Sequence, residues 1–178
     1  MRDSGEQQLF ETVERASTDE GNPRRKGASA DLTVVFTDGA CLGNPGPGGW
    51  GWATGREHFA SGAEAETTNQ RMELSAVLHA LRELQGDVEV VSDSTYVVNC
   101  FKDRWWQGWR RRNWKNSKGE LVKNRDLWEP LIAEVVDQRT PSAIRFRWVK
   151  GHAGDPMNEF VDELATTAAR LQIGVKRP

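Results

Sequence analysis

The chain lacks the features that mark membrane, secreted and zinc-binding proteins. It has only two cysteines, Cys41 and Cys100, and they show no spacing of a zinc site, a redox motif or a disulfide framework. No apolar run approaches the ~18 residues that span a membrane, and the first residues lack the apolar core of a signal peptide. These absences predict a cytoplasmic protein with two free thiols and no membrane contact.

Basic residues are slightly outnumbered overall, 24 against 26 acidic ones, but are concentrated in one segment. The 178 residues carry a formal net charge of -2 and are 37% hydrophobic, as is typical of one soluble domain with a tail. Residues 101–125 nevertheless hold nine basic and two acidic residues, a local balance of +7 that leaves -9 for the rest of the chain. Because this charge is localised, it indicates a nucleic-acid surface.

The order of the apolar patterns predicts one α/β domain over residues 31–172. Strands are expected at 32–37, 50–54 and 57–62 as an antiparallel meander, and later at 88–92 and 144–148. Helices are expected around 69–84, after Ser94, around 128–135 and near the C-terminus. This order predicts a five-stranded mixed sheet, with three antiparallel strands followed by two parallel ones and helices on both faces.

The two ends of the chain are predicted to be tails. Residues 1–30 are polar and end in a basic triplet, which favours a flexible tail, and residues 173–178 form a short C-terminal one. Within the first tail, Leu9, Phe10 and Val13 would suit one helical turn on a partner. The sequence assigns this segment no role and leaves a contact with a partner such as a single-strand-binding protein open.

Four acidic residues in separate settings dominate the analysis: Asp38, Glu73, Asp93 and Asp162. Asp38 and Asp93 each end an apolar run, and the other two lie in periodic helical stretches. If the two strands are parallel neighbours, their carboxylates meet at one edge of the sheet, where open α/β sheets bind ligands. Each residue alone has a simpler interpretation, as a turn, a helix cap or a solvated side chain. Together they indicate a cluster of oxygen ligands for hard divalent cations, and hence metal-dependent phosphoryl transfer.

Several ordered motifs resemble those of the type 1 ribonuclease H family. The matching segments are TDGACLGNPGPGG from residue 37, TTNQRMEL from 67, SDS from 92, VKNRDLW from 122 and WVKGHAG from 148, followed by Asn158 and DELA from 162. They cover residues 34–171, almost the whole domain. The glycine-rich turn among them lacks the Gly-Lys-Ser/Thr ending of a phosphate-binding loop, so no ATP site is expected.

The resemblance implies a ribonuclease H-like fold, an endonuclease and a catalytic set. Asp38, Glu73, Asp93 and Asp162 would be ligands of two Mg²⁺ ions, with Mn²⁺ as a substitute. One ion would activate water, and the other would stabilise the leaving 3′ oxygen. His152 would aid proton transfer or product release, and Asn158, one turn before Asp162, would assist the site.

The resemblance also implies two substrate-binding surfaces for an RNA–DNA hybrid duplex. Cys41, Asn44, Asn69 and Gln70 would line the minor groove on the RNA strand, where 2′-hydroxyls are recognised. Thr68, Arg71 and Asn124 would form a phosphate pocket for the DNA strand. A basic protrusion would grip the same strand through Trp105, Trp109, Arg110, Arg111, Arg112, Trp114 and Lys115. Asn113 stands there where relatives often have glycine, and asparagine tolerates the left-handed backbone conformation.

The sequence therefore predicts a cytoplasmic, monomeric, metal-dependent endoribonuclease that cuts the RNA strand of hybrids and leaves 5′-phosphate and 3′-hydroxyl ends. Its cellular work would be removal of primer and R-loop RNA during DNA replication. Three alternatives stay open: a DNA-cutting nuclease on a related fold, a non-catalytic hybrid-binding module, and a domain of a larger polymerase.

Overall fold

The computed structural model describes residues 32–140, 143–151 and 153–178, so the expectations for residues 1–30 lie outside the described residues. The strands are β1 Thr33–Cys41, β2 Gly46–Gly55, β3 His58–Thr67, β4 Val88–Ser92, β5 Ile144–Trp148 and β6 Lys176–Arg177. The helices are α1 Asn69–Glu83, α2 Thr95–Lys102, α3 Trp105–Arg111, α4 Arg125–Ile132, which continues into a π-helical turn Ala133–Asp137, and α5 Pro156–Leu171.

The strands form one mixed sheet in the order β5-β4-β1-β2-β3-β6. β1, β2 and β3 are antiparallel neighbours, whereas β1, β4 and β5 are parallel, as the sequence predicts. The sheet has six strands rather than five, because Lys176–Arg177 pairs with β3. Val175 and Ser61 also exchange two backbone hydrogen bonds, of 2.7 and 3.2 Å. A two-residue strand is too short to show alternation, which is why the sequence predicts only a tail here.

β1 and β2 are longer than their apolar patterns predict. β1 continues past Asp38 to Cys41, and β2 begins at Gly46, inside the segment expected to be a turn. Ala40 pairs with Gly49, and Cys41 with Gly48. A β-carbon on Gly48 would collide with the Thr67 side chain. The glycines therefore reflect close packing within a strand as well as a turn, and Asp38 lies within β1 rather than at its end.

Helices cover both faces of the sheet, as expected from the strand order. On one face, α1 buries the side chains of Leu74, Val77, Leu78 and Leu81 against the sheet, with spacing that places them on one side of the helix. On the other face, α5 packs so closely on β2 that a β-carbon on Gly49 would collide with the Ala165 backbone oxygen. Glycine at this position removes the side-chain layer between helix and strand.

The main core lies between α1, α2, α4 and the sheet. Trp128 is fully buried at its centre, and its indole nitrogen donates to the Tyr96 hydroxyl at 2.8 Å. This hydrogen bond satisfies the only polar group of the ring, so Trp128 stabilises the core without leaving a buried donor unpaired. Among the helices that the structure describes, none has the length and apolar character needed to cross a membrane.

Candidate active site

Parallel pairing of β1 and β4 places two of the predicted acidic residues side by side. Phe36 pairs with Val91 in this register. Asp38 and Asp93 follow two residues later on their chains, and alternate residues of a strand share a face. Their carboxylates therefore lie on the α5 face at the same edge of the sheet. The structure therefore contains the parallel pairing of β1 with β4 that the sequence only suggests.

Glu73 reaches the same edge from α1. A β-carbon on Gly39 would collide with the Glu73 backbone nitrogen, so glycine lets the first turns of α1 lie directly on β1. The Glu73 carboxylate accepts hydrogen bonds from the Ser94 hydroxyl at 2.5 Å and from the Asn69 side-chain amide at 2.9 Å. These two donors fix the carboxylate between α1 and the start of α2.

Asp162 completes the acidic group from α5. A cleft of about 450 Å³ opens at this edge of the sheet, and all four predicted carboxylates line it. The lining residues are Asp38, Gly39, Ala40, Cys41, Leu42, Asn69, Glu73, Asp93, Asp162 and Thr166. Two strands and two helices thus bring together residues that are up to 124 positions apart, from Asp38 to Asp162.

The cleft strongly disfavours further negative charge. Burial, reinforced by the nearby Asp93, Asp162 and Glu73 carboxylates, raises the pKa of Asp38 from 3.8 to about 8. Burial also raises the pKa of Glu73, and the hydrogen bonds from Ser94 and Asn69 oppose that rise. An added positive charge in the cleft would therefore favour ionisation of Asp38.

The donor set fits hard divalent cations. Its acidic ligands are all oxygen donors, and none of the described residues that line the cleft is basic. Within 32–140, 143–151 and 153–178, no three acidic, histidine or cysteine side chains are already close enough together to hold a metal ion. The cleft therefore supplies oxygen ligands for a cation. A bound cation would neutralise the negative charge that no described basic residue of the lining offsets.

The structure describes Asn158, the predicted auxiliary residue, but not His152, a predicted catalytic residue. Asn158 is 3% exposed on α5, outside the lining of the cleft, and its side-chain oxygen has no hydrogen-bond partner among the described residues. The structure places it in the helix–sheet packing one turn before Asp162. His152 lies outside the described residues, so its role stays a prediction.

The residues predicted to contact the RNA strand surround one side of the cleft. Cys41 and Asn69 line it directly. The Asn44 side-chain oxygen accepts from the Asn69 backbone nitrogen at 3.3 Å, and Gln70 is exposed on the first turn of α1. The Cys41 thiol of β1 donates to the backbone oxygens of Gly46 in β2 and Thr67 in β3, so it links the ends of three strands at this rim.

The predicted phosphate pocket lies between the beginnings of α1 and α4. Thr68 and Asn124 are the residues that precede these two helices, and Asn124 adopts a left-handed conformation with φ of 57°. Arg71 forms a bidentate ion pair with Asp126, with distances of 3.0 and 2.7 Å. This pair lowers the pKa of Asp126 and joins the two helix ends. It also means that a phosphate would share Arg71 with a carboxylate.

The predicted protrusion consists of α3 and the loop that follows it. Trp109 and Trp114 are buried, at 8% and 7% exposure, whereas Trp105 is 37% exposed. Arg110 pairs with Asp137. The remaining predicted basic contacts, Arg111, Arg112 and Lys115, are all exposed. The tryptophans thus largely build the protrusion, and the charged groups form its surface.

Three residues at the cleft carry signals that the sequence alone does not separate from ordinary packing. Ser94 is the N-cap of α2 and also donates to Glu73. A β-carbon on Gly151 would lie 2.5 Å from an Asp93 carboxylate oxygen. The Trp148 indole donates to the Asp93 backbone oxygen at 3.1 Å. In the sequence, a Ser after an Asp predicts only a helix cap, and a Gly in a loop predicts only a turn. The contacts of these residues with Glu73 and Asp93 are visible only in the structure.

Comparison with known proteins identifies the family of the chain. The family model described as RNase H matches residues 30–170. The chain is 47% identical over 143 residues to a ribonuclease H of Syntrophomonas wolfei, covering 77% of this chain and 95% of the relative. It is 46% identical over 144 residues to a ribonuclease H of Thermus thermophilus, covering 78% and 84%.

A solved structure gives the same result for the fold. LC9-RNase H1, a type 1 RNase H with the type 2 active-site motif, superposes with a TM-score of 0.67 at 33% identity, covering 82% of this chain and 77% of that one. The residues that the family model matches, 30–170, contain β1 to β5, the helices on both faces of the sheet and the four carboxylates of the cleft. The chain therefore belongs to the ribonuclease H family of hydrolases.

Proposed function

We propose that this protein hydrolyses the RNA strand of RNA–DNA hybrids internally, using divalent cations and leaving 5′-phosphate and 3′-hydroxyl ends. The observation that carries the proposal is the cleft in which Asp38, Glu73, Asp93 and Asp162 converge without a described basic neighbour. Membership of the ribonuclease H family supports the substrate, and the names of the similar proteins agree with it.

The four carboxylates are the proposed cation ligands. Two bound Mg²⁺ ions, or Mn²⁺ in their place, would supply Lewis-acid activation of water and neutralisation of the leaving 3′ oxygen. Asp38 is the best candidate to serve both ions, because it lies on a central strand and is flanked by the other three carboxylates. Ser94 and Asn69 orient Glu73 by hydrogen bonds to its two oxygens.

Substrate selection is proposed to come from two surfaces that adjoin at the start of α1, one at the rim of the cleft and one between α1, α4 and the protrusion. Asn44, Asn69, Gln70 and Cys41 form the polar rim that would contact ribose 2′-hydroxyls in the minor groove. Such contacts distinguish RNA from DNA at the cleaved strand. They favour a ribonuclease over the alternative of a DNA-cutting enzyme on the same fold.

The second surface would hold the DNA strand by its phosphates. Arg111, Arg112 and Lys115 are exposed on the protrusion, and Thr68, Arg71 and Asn124 lie at the joined ends of α1 and α4. Phosphate contacts position a duplex without reading its bases. Cleavage with little sequence preference follows, which suits removal of primer and R-loop RNA.

The test is cleavage of an end-labelled RNA–DNA duplex with Mg²⁺, beside duplex RNA, duplex DNA and an Asp93→Asn variant. We expect cutting of the RNA strand of the hybrid alone, products with a 5′-phosphate, and loss of cutting in the variant or with EDTA. Tight hybrid binding without cutting under Mg²⁺ or Mn²⁺ would instead identify a binding module. Sedimentation of the same preparation checks the expected monomer.

A further inference from the structure

An apolar groove of about 490 Å³ lies away from the acidic cleft, between the α2–α3 junction, the π-helical turn and β5. Its apolar lining consists of Phe101, Trp106, Val135, Val136, Ile144 and Phe146. All six are partly buried side chains that pack on the main core. The Phe101 and Phe146 rings stack at 4.3 Å with planes 6° apart. The groove floor is thus formed by side chains that the fold already holds in place.

The rim of the groove is basic. Lys102 and Arg104 are exposed and line it, and no acidic residue is among its described lining residues. The Arg110 guanidinium lies over the Trp106 ring at 5.4 Å, while its charge is paired with Asp137. An apolar floor with a positive rim suits a short segment that carries apolar side chains between acidic ones.

The chain itself contains a segment of this chemistry. Residues 6–14 read EQQLFETVE, with Leu9, Phe10 and Val13 as the apolar group. Glu6, Glu11 and Glu14 surround that group, and no basic residue falls within the segment. This is the apolar cluster that the catalytic proposal leaves without a role.

The connection from this segment to the groove is short. Thr33 pairs with Val88, and Val88 pairs with Ile144 of the groove, so the start of β1 lies two strand spacings, roughly 10 Å, from the groove wall. The 18 residues between Val13 and Leu32 can extend to several times that distance, at about 3.3 Å per residue. Tethering therefore raises the effective concentration of the segment at this groove.

A second cleft near the start of β1 is a poorer match. It is lined by Leu81, Arg82, Asp87, Glu134, Gln138 and Arg139, together with other polar residues. Its lining is more polar than apolar, and its own carboxylates would repel an acidic segment. The apolar groove with the basic rim is therefore the better receptor.

We propose that residues 6–14 dock in this groove of the same chain, with Leu9, Phe10 and Val13 on its apolar floor and the glutamates near Lys102 and Arg104. The inference goes beyond hybrid cleavage and does not depend on it. It assigns the N-terminal segment an intramolecular binding site at the base of the basic protrusion.

The test compares methyl NMR spectra of the full chain and a Leu9→Ser/Phe10→Ser variant, with Ser17→Ala as the control. We expect the signals of Val135, Val136 and Ile144 to shift in the double variant only, while those of Val161 on α5 stay unchanged. Identical groove signals in all three proteins would overturn the proposal.

Charge reversal provides an independent test that leaves the floor intact. A Lys102→Glu/Arg104→Glu variant should give the groove shifts of the Leu9→Ser/Phe10→Ser protein, and adding Glu11→Lys/Glu14→Lys should restore the original spectrum. Failure to restore it would count against the proposed pairing of segment and rim. Groove shifts that appear only at high protein concentration, with a dimer in sedimentation, would assign the docking to a second copy and overturn the intramolecular proposal.

Discussion

The Ser94 hydroxyl donates to a Glu73 carboxylate oxygen at 2.5 Å and accepts from the Val97 backbone nitrogen at 3.3 Å. One side chain therefore caps α2 and orients a proposed cation ligand that comes from α1. Stability and catalysis are coupled at this position, because both depend on the same oxygen atom.

Replacement of that hydroxyl tests the coupling. Ser94→Ala should lower the free energy of unfolding by about 1 kcal/mol through loss of the cap. It should also raise the pKa of Glu73, since the Ser94 hydrogen bond lowers it. The acidic limb of the pH–rate profile should then move to higher pH. Urea unfolding and rate profiles check both effects; Ser94→Thr should retain most of each, and Ser117→Ala, on an exposed loop, should change neither.

Asp38 should make the metal-free protein less stable as pH rises. Its folded-state pKa of about 8 lies above its ordinary value of 3.8, so the folded chain retains a proton that the unfolded chain releases. The associated stability is complete below about pH 4 and is lost progressively up to about pH 8, on the order of 6 kcal/mol in total. Asp38→Asn should remove this slope in urea unfolding with EDTA. An unchanged slope, or an equal effect of the exposed Glu163→Gln, would contradict the assignment.

Gly151 should be sensitive to a single methyl group. A β-carbon there would lie 2.5 Å from the Asp93 carboxylate oxygen, so Gly151→Ala should displace that carboxylate. We expect kcat to fall on the order of a hundredfold, with little change in KM. Gly55→Ala is the matched control, because nothing lies within 4 Å of the added carbon. Wild-type turnover in Gly151→Ala would show that Asp93 is not held in this position.

The exposed basic residues of the protrusion should act on binding rather than on chemistry. Arg111→Ala, Arg112→Ala and Lys115→Ala should each raise KM for the hybrid and reduce the slope of log K against log salt by about 1, with kcat retained. Binding titrations at several salt concentrations measure this slope. Arg56→Ala, on the β2–β3 turn, serves as the control and should leave the slope unchanged.

Substitutions of Asp93 and His152 should differ in how much cleavage activity remains. Asp93→Asn should abolish cleavage, since it removes a proposed cation ligand, whereas His152→Ala should slow turnover and leave measurable cutting. Single-turnover and steady-state rates with Mg²⁺ distinguish the two. Equal loss of activity in both variants would refute this ranking.

The sequence predicts the elements whose side chains repeat with a clear period. The spacing of Leu74, Val77, Leu78 and Leu81 identifies α1, because that face of the helix is buried. Alternation identifies β5, where Ile144 and Phe146 are partly buried and the arginines between and after them are exposed. The left-handed conformation tolerated by Asn113 is also present, with φ of 51°. Asp38 and Asp93 meet because β1 pairs in parallel with β4, an arrangement that the sequence suggests but does not establish.

Structural features that do not depend on periodic spacing of apolar residues are not predicted from the sequence, or are predicted at the wrong position. Glycines 46, 48 and 49 indicate a turn by composition, yet they lie in β2 because the neighbouring chain leaves no room for side chains. The left-handed Trp114, with φ of 61°, carries no signal, since tryptophan does not favour that conformation. The bidentate pairing of Arg71 with Asp126 depends on how α1 meets α4, which no local pattern encodes.

The direct contact between α5 and the glycines of β2 has a consequence for how the protein can vary. Because Gly49 has no side chain, α5 approaches β2 until its own backbone and the small Ala168 side chain lie directly against the strand. Conservative exchanges elsewhere on α5 can therefore leave Asp162 at a constant depth. A single β-carbon at residue 49 would lift the whole helix and move Asp162 away from Asp38. Gly51 faces the same helix, where an added β-carbon would lie 2.8 Å from the Leu164 β-carbon, so these two glycines together set the depth of the acidic cleft.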